Sequence, residues 1–173
     1  MMNILITVAH PDDETIGMGG TIKKLSKNNE ITLCVMTDGS SAQYDGKKMI
    51  KVRQDACKKA GKILGISKFH FLNFPDMKLD SISHVEMNKE LEKIIKKINP
   101  KILYSTSYND LNKDHQKVFE SCSVISRPIS SKIKQFLCFE MGGRNKTPFN
   151  PNTYVDISKE LSFKLKALNQ YKT

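Results

Sequence analysis

Short apolar runs alternate with amphipathic stretches along the whole chain of 173 residues. Most of the runs are rich in β-branched residues and lack polar alternation, which predicts strands buried on both faces. We expect five strands and one further candidate: Asn3–Ala9, Glu30–Met36, Lys68–Leu72, Lys101–Ser105, Gln135–Glu140 and, as the candidate, Thr153–Ile157. The amphipathic stretches carry apolar residues at helical spacing, so we expect helices there. They are Thr15–Asn28, Lys48–Leu64, Ile82–Ile98, Asp114–Ser126 and a last stretch with Ser158 as its N-cap.

This alternation is the pattern of βαβ units, because two parallel strands need a crossover that is usually a helix. We therefore expect a single α/β domain over residues 1–173, with the architecture of a three-layer Rossmann-like sandwich. Its sheet should be mainly parallel, with helices on both faces. In such sheets ligands bind beyond the carboxyl ends of the strands, so the informative polar residues are those that follow a strand.

The charge of the chain raises the question of nucleic-acid binding. The formal net charge is +10 and the sequence pI is about 9.4. However, 25 of the 28 basic residues are lysines, and the lysine pairs are scattered over separate segments. Base readout and bidentate phosphate binding favour arginine. We therefore expect no nucleic-acid partner, whereas attraction to an anionic substrate stays open.

The cysteines and the N-terminus bear on the cell compartment. The four cysteines include no CxxC pair, so neither a zinc knuckle nor a redox motif is indicated. The N-terminus lacks a basic region, and its apolar stretch is too short for a signal peptide. No apolar run approaches the roughly 18 residues of a membrane-spanning helix. We therefore expect a cytoplasmic protein without an integral membrane segment; the oligomeric state stays open, a homo-oligomer included.

The first strand ends in the run HPDDE, residues 10–14, which has four ionisable groups in five positions. Adjacent carboxylates repel one another unless a cation compensates them. A histidine nitrogen together with a carboxylate oxygen suits Zn²⁺ better than Ca²⁺ or Mg²⁺, which prefer oxygen ligands. The three-residue offset lets His10 and Asp13 face the same ion. The alternative is a solvated acidic loop that caps the first helix, with Asp13 or Thr15 as N-cap.

Three glycines follow this run, Gly17, Gly19 and Gly20, and their spacing is not the GxGxxG of a dinucleotide site. We expect them to allow close packing of the first helix on the sheet instead.

A third metal ligand should come from another strand end, since a catalytic zinc site has about three protein ligands and one open position. The segment Tyr108–His115 directly follows the fourth strand. We predict His115 as the third ligand, with Asp114 orienting an imidazole or binding at the site itself. His70 lies between two phenylalanines of a strand and His84 begins a surface helix, so both are poorer candidates.

Four motifs follow the first four strands in order: AHPDDE (residues 9–14), TDG (37–39), FPD (74–76) and the DH pair (114–115). Together they resemble the zinc-dependent N-acetylglucosaminyl deacetylases of the LmbE/PIG-L type, from residue 3 to about residue 157. The resemblance implies a Zn²⁺ cofactor, a general base and side chains that hold the sugar. These are, respectively, His10, Asp13 and His115 as zinc ligands, Asp12 as the base, and Arg53 and Asp76 at the sugar.

The chain departs from the family pattern in the last motif, which usually reads HxDH and here begins with Asn112. The family histidine is implied to assist the oxyanion or the leaving group. Asn112 can donate a hydrogen bond at this catalytic position but cannot deliver a proton. The chain also ends within its last helix, where many relatives continue, so we expect that whatever such a tail supplies to the pocket is missing.

The function implied by the resemblance is removal of an acetyl group from an N-acetylglucosamine-type amino sugar in a glycoconjugate. The expected partner is thus a small-molecule or glycoconjugate substrate, whose carrier the sequence does not identify. Two alternatives stay open. One is a non-catalytic, sugar-binding member of the same fold, suggested by Asn112. The other is a metal phosphoesterase, because carboxylate–histidine clusters and a basic surface also suit phosphates.

Overall fold

A single parallel sheet of five strands is seen in this computed structural model, which describes residues 1–42, 47–129, 131–143 and 145–172. The strands are β1 Asn3–Val8, β2 Glu30–Thr37, β3 Lys68–Phe74, β4 Ile102–Thr106 and β5 Gln135–Phe139. They lie in the order β3-β2-β1-β4-β5, and every neighbouring pair is parallel. The prediction of a mainly parallel α/β sheet is confirmed.

Helices cover both faces of the sheet, as expected for a three-layer sandwich. In the described part of the chain they are α1 Asp13–Leu25, α2 Lys47–Leu64, α3 His84–Ile98, α4 Lys113–Ile125 and α5 Leu161–Leu168, with a short 3-10 turn at Leu79–Ser81. The first core contains side chains of α1, α2 and α5. The second core, on the opposite face, contains side chains of α3 and α4.

The central strand shows why the strands read as continuous apolar runs. Ile4 and Ile6 of β1 pack into the first core, whereas Leu5 packs into the second, and all three are fully buried. Since successive side chains of a strand point to opposite faces, a strand covered on both sides needs apolar residues at every position.

The C-terminal segment differs from its prediction. Residues 153–157 do not form the candidate strand, so that expectation is wrong. The carbonyl oxygen of Asp156 accepts a hydrogen bond from Lys24 Nζ, and the backbone passes along α1 instead of joining the sheet. The last helix begins at Leu161 after Glu160, and Ser158 is not its N-cap. Ser158 instead donates from both its backbone N–H and its hydroxyl to Asp156 Oδ1, which closes a turn before the helix.

Two of the three glycines of α1 are required by close packing. A Cβ on Gly17 would lie 2.3 Å from the ring of Phe139 in β5, which confirms the prediction that this helix packs tightly on the sheet. A Cβ on Gly20 would lie 2.6 Å from the side chain of Ile157. This glycine therefore lets the C-terminal segment, and not a strand of the sheet, pack closely on α1.

The strand order places a ligand crevice between β1 and β4. From β1 the chain first crosses to β2 and β3 on one side, and then returns to β4 and β5 on the other. The loops after β1 and β4 therefore diverge at the carboxyl edge of the sheet, which is where open α/β sheets bind ligands. Among the described residues, no helix combines the length and apolar character needed to cross a membrane.

Candidate metal centre

Three predicted ligands meet at the carboxyl edge of the sheet. His10 follows β1, Asp13 begins α1, and His115 lies in the first turn of α4. His115 Nε2 lies 3.2 Å from His10 Nδ1 and 3.3 Å from Asp13 Oδ2, and the last two atoms are 3.5 Å apart. The structure thus brings together side chains from two loops that are separated by about a hundred residues of sequence.

The spacing of these three atoms fits a tetrahedral zinc ion. Ligand atoms at roughly 2.0–2.1 Å from a common ion lie about 3.3–3.4 Å apart when the geometry is tetrahedral. Two imidazole nitrogens and one carboxylate oxygen are also a donor set that zinc prefers, and three protein ligands leave the fourth position open. The alternative of a simple capping loop does not account for this convergence: Asp12 is the N-cap residue of α1, and its side chain makes no capping hydrogen bond.

A buried carboxylate orients His115. Asp110 Oδ2 lies 2.7 Å from His115 Nδ1, and Asp110 is 1% exposed. When Nδ1–H donates to this carboxylate, the lone pair of Nε2 faces His10 and Asp13. Asp110 is a site residue that the sequence motifs do not indicate. Its one signal is a carboxylate in the loop between a buried strand and the ligand-bearing helix.

A second pair of carboxylates lies behind His10. His10 Nε2 is 3.3 Å from Asp114 Oδ2 and 3.2 Å from Asp76 Oδ1. The two oxygens of Asp114 accept the backbone N–H groups of Met77 and Leu79, so this carboxylate is already fixed in place. His10, Asp76 and Asp114 are close enough to form an alternative metal cluster. The role of Asp114 as a hydrogen-bond acceptor favours the first cluster, in which Nδ1 of His10 is the ligand.

The electrostatics of the cluster favour a cation. Burial alone would lower the pKa of His10, but the charge of Asp13 and hydrogen bonds to nearby carboxylates raise that pKa to about 12. Burial would also lower the pKa of His115. The charge of Asp13 and the hydrogen bond to Asp110 outweigh burial and raise this pKa to about 9. Burial would raise the pKa of Asp13, yet the two histidines hold it well below its usual range. Positive charge, whether protons or a metal ion that replaces them, is therefore stabilised here.

Asp12 lies beside the cluster in a different environment. Its Oδ2 pairs with Arg53 Nη2 at 3.3 Å, and its side chain is 27% exposed, so solvent reaches it. Burial and the charge of Asp13 raise the pKa of Asp12 to about 6, against the opposing charges of Arg53 and His10. A carboxyl with a pKa near neutrality suits a general base.

Arg53 and Asp76 are predicted to hold the sugar. Arg53 is 8% exposed, and its guanidinium also donates to the carbonyl oxygen of Pro11 at 3.1 Å. Asp76 is 4% exposed and faces His10. Both residues lie at the centre, where their observed contacts hold the HPDDE turn, and their substrate contacts stay predictions.

Comparison with known proteins agrees with this geometry. Residues 5–125, more than half of the chain, match the family described as PIG-L, GlcNAc-PI de-N-acetylase. The chain belongs to the PIG-L family. The predicted LmbE/PIG-L resemblance is thereby confirmed.

Several PIG-L relatives are deacetylases by name. Diacetylchitobiose deacetylase of Thermococcus kodakarensis is 29% identical over 98% of this chain and 69% of its own length. The uncharacterized deacetylase YaiS of Escherichia coli K12 is 32% identical over 98% of this chain and 90% of its own. The solved structure of N,N'-diacetylchitobiose deacetylase from Pyrococcus horikoshii has a TM-score of 0.79 at 27% identity, and the match covers 98% of this chain and 69% of that one.

Asn112, the departure from the family pattern, caps the helix that bears the PIG-L DH motif. Its Oδ1 accepts the backbone N–H of Asp114 at 2.8 Å, which satisfies one of the free donors at the start of α4. Its amide nitrogen faces the sulfur of Met77 at 3.7 Å, a weak acceptor. The capping role follows from the residue type and its place before the helix, whereas the predicted catalytic role stays a prediction.

The TDG motif of this PIG-L chain packs against the AHPDDE motif. Asp38 Oδ1 accepts the backbone N–H groups of Ser40 and Ser41 and so closes a turn. Gly39 has φ +68°, and a Cβ on it would lie 2.2 Å from Pro11 Cδ. Only glycine fits this contact, because both the positive φ and the close approach exclude a side chain.

Proposed function

We propose that this protein is a zinc-dependent hydrolase that removes the acetyl group from an N-acetylglucosamine-type amino sugar in a glycoconjugate. The observation that carries the proposal is the triangle of His10 Nδ1, Asp13 Oδ2 and His115 Nε2. The deacetylases among the relatives support the reaction class, and the name diacetylchitobiose deacetylase supports the sugar class. Single-domain organisation over residues 1–173 and a cytoplasmic location form part of the same proposal.

His10, Asp13 and His115 would hold the metal, with Asp110 and Asp114 orienting the two rings. A zinc ion in this place would act as a Lewis acid that polarises a carbonyl group and would lower the pKa of a bound water molecule to near neutral pH.

Asp12 would act on the proton that moves during amide hydrolysis. As the water oxygen bonds to the acetamide carbonyl carbon, the Asp12 carboxylate accepts the water proton. When the carbon–nitrogen bond then breaks, the protonated carboxyl returns that proton to the amine. Acetate and a free amino sugar result. The pairing of Asp12 with Arg53 fixes the carboxylate during these transfers.

The test combines metal analysis with acetate release. We expect one zinc per chain and acetate release from at least one member of a panel of N-acetylglucosamine conjugates, beginning with diacetylchitobiose. Asp12→Asn should keep the metal and lower the rate by about 10²-fold or more, the value of a general base. Asp55→Asn, which changes a half-buried carboxylate on α2, is the matched control and should retain activity.

Each other outcome has a distinct meaning. Unchanged activity in Asp12→Asn would remove the base assignment. Binding of the conjugates by the zinc-loaded protein without acetate release would favour the non-catalytic alternative. Phosphate release from a generic phosphoester, with acetamide sugars inert, would favour a phosphoesterase.

A further inference from the structure

The proposed mechanism leaves one buried carboxylate of the HPDDE run without a role. Glu14 is fully buried, and both of its oxygens accept hydrogen bonds. Its Oε2 accepts the backbone N–H of Asp12 at 3.2 Å. Its Oε1 accepts the hydroxyl groups of Thr15 and Tyr171, each at 2.7 Å. A buried carboxylate needs such partners, and one of these comes from the far end of the chain.

Tyr171 reaches Glu14 because the end of the chain packs beside α1. The C-terminal helix α5 contacts both α1 and α2, and Ala167 of α5 is fully buried in the first core. Tyr171 follows this helix and packs against the same core. Its hydroxyl thus donates to Glu14, the second residue of α1, which lies 157 residues earlier in the sequence. Lys27 on the loop after α1 pairs with the nearly buried Glu160, which adds a second link between the two segments.

Asp12 is the residue that needs to be held. Its φ is +136°, a value that a residue with a side chain rarely adopts. Such a conformation persists only when surrounding contacts fix it. Arg53 fixes the Asp12 carboxylate, and Glu14 fixes the Asp12 backbone N–H. The orientation of the proposed base therefore depends on the position of the Glu14 carboxylate.

We propose that Glu14 and Tyr171 are positioning residues that hold the Asp12 backbone in its unusual conformation, so that the C-terminal segment completes the catalytic turn. This inference rests on the proposed function in one respect, the identity of Asp12 as the general base. The tether itself is a property of the fold and can be measured separately.

The kinetic test uses Tyr171→Phe in the full, zinc-loaded chain. This change removes one hydrogen-bond donor and keeps the ring in the core. We expect kcat for acetate release from diacetylchitobiose to fall about 3- to 10-fold, the value of one hydrogen bond. KM and the zinc content should stay unchanged, because neither the ligands nor the substrate contacts are altered. Tyr154→Phe is the matched control, since that tyrosine is 79% exposed and its hydroxyl donates to the carbonyl oxygen of Pro151 in its own loop.

The second readout does not need activity. Amide hydrogen exchange of Asp12, followed by nuclear magnetic resonance, should speed up about 3- to 10-fold in Tyr171→Phe and stay unchanged in Tyr154→Phe. Glu14→Gln should speed up Asp12 exchange as well, since an amide offers a poorer acceptor than a carboxylate. The amide of Ala167 serves as the internal reference for general loosening of the C-terminal helix.

Unchanged Asp12 exchange and unchanged kcat in Tyr171→Phe would overturn the inference. So would a loss of kcat that is matched by equal loosening at Ala167 and by loss of zinc, because that pattern describes a purely structural residue. If the wild-type protein releases no acetate, the proposed function fails, and the Asp12 exchange rates still decide whether the tether exists.

Discussion

The two loops that form the candidate metal centre are stabilised in different ways. The β4–α4 loop fixes His115 by contacts of its own: Asp110 binds both the ring of His115 and the backbone N–H of Asn112, and Asn112 caps α4. Asn109 adds hydrogen bonds to Thr147, outside the loop. The β1–α1 turn has an internal hydrogen bond from the His10 N–H to Asp13, but it also depends on contacts from outside. Arg53 of α2 and the distant Tyr171, acting through Glu14, reach it from other parts of the chain.

This difference matches the separate demands on His115 and on Asp12, the proposed base. A metal ligand needs one fixed lone pair, which a local carboxylate–imidazole pair provides within a single loop. The proposed base should lie beside the ion but not on it, and Asp12, next to the ligand Asp13 proposed for that ion, has an unusual backbone with φ +136°. Because backbone strain has to be balanced by surrounding contacts, the turn that carries Asp12 needs contacts from distant parts of the chain as well as from its neighbours.

The largest expected effect is on the metal itself. His115→Ala removes one of three ligands and should abolish stoichiometric zinc binding, with acetate release falling by at least about 10³-fold because Lewis-acid stabilisation is worth several kcal/mol. Metal analysis after gel filtration and an acetate assay measure the two effects. His70→Ala on β3 is the control histidine and should keep the zinc. Full zinc content in His115→Ala would show that the cluster of His10, Asp76 and Asp114 holds the ion instead.

A smaller effect is expected when the support of a ligand is changed. Asp110→Asn keeps the shape of the side chain but weakens the hydrogen bond to His115, so zinc affinity should fall about 10- to 100-fold. Competition with a chelator of known affinity measures this change. Asp80→Asn, at an exposed carboxylate of the 3-10 turn, should leave the affinity unchanged. An unchanged affinity in Asp110→Asn would mean that the β4–α4 loop does not need its internal carboxylate.

The fold, and the clustering of His10, Asp13 and His115, could be predicted because their signals are local. The runs around Ile4 and Leu33 are apolar on both faces apart from the buried Thr7 and Thr32, which is typical of a strand covered on both faces. His10 and Asp13 come just after β1, and His115 lies at the start of the helix after β4. Parallel strands bring such residues to one edge of the sheet. Of the two supporting carboxylates, Asp114 stands in the DH motif and is predicted for this role, whereas Asp110 belongs to no motif. Asp110 looks like any loop aspartate until the fold places it against His115.

The C-terminal segment was harder to predict because its partners are distant in sequence. Residues 153–157 include β-branched and aromatic residues typical of a strand, yet this segment packs on Gly20 and bonds to Lys24 of α1 instead. The contact between Tyr171 and Glu14 could not be inferred from either residue alone. The hydroxyl of Tyr171 nevertheless reaches the carboxylate that accepts the Asp12 N–H, so the last described residues contribute to this side of the site.

The smallest expected effect concerns the cap of α4. Asn112→Ala removes the acceptor for the Asp114 N–H and should lower the free energy of unfolding by about 1 kcal/mol, whereas Asn112→Ser keeps an acceptor there and should cost only a few tenths of that. Denaturant unfolding of the two metal-free variants measures the difference, and the absence of metal separates the cap from ligand binding. Equal stability of the two variants would show that the side-chain cap of Asn112 does not stabilise the helix. A difference of the expected size would instead show that the residue that departs from the family histidine has taken on a structural task, since its side-chain oxygen fixes the first turn of the helix that presents His115.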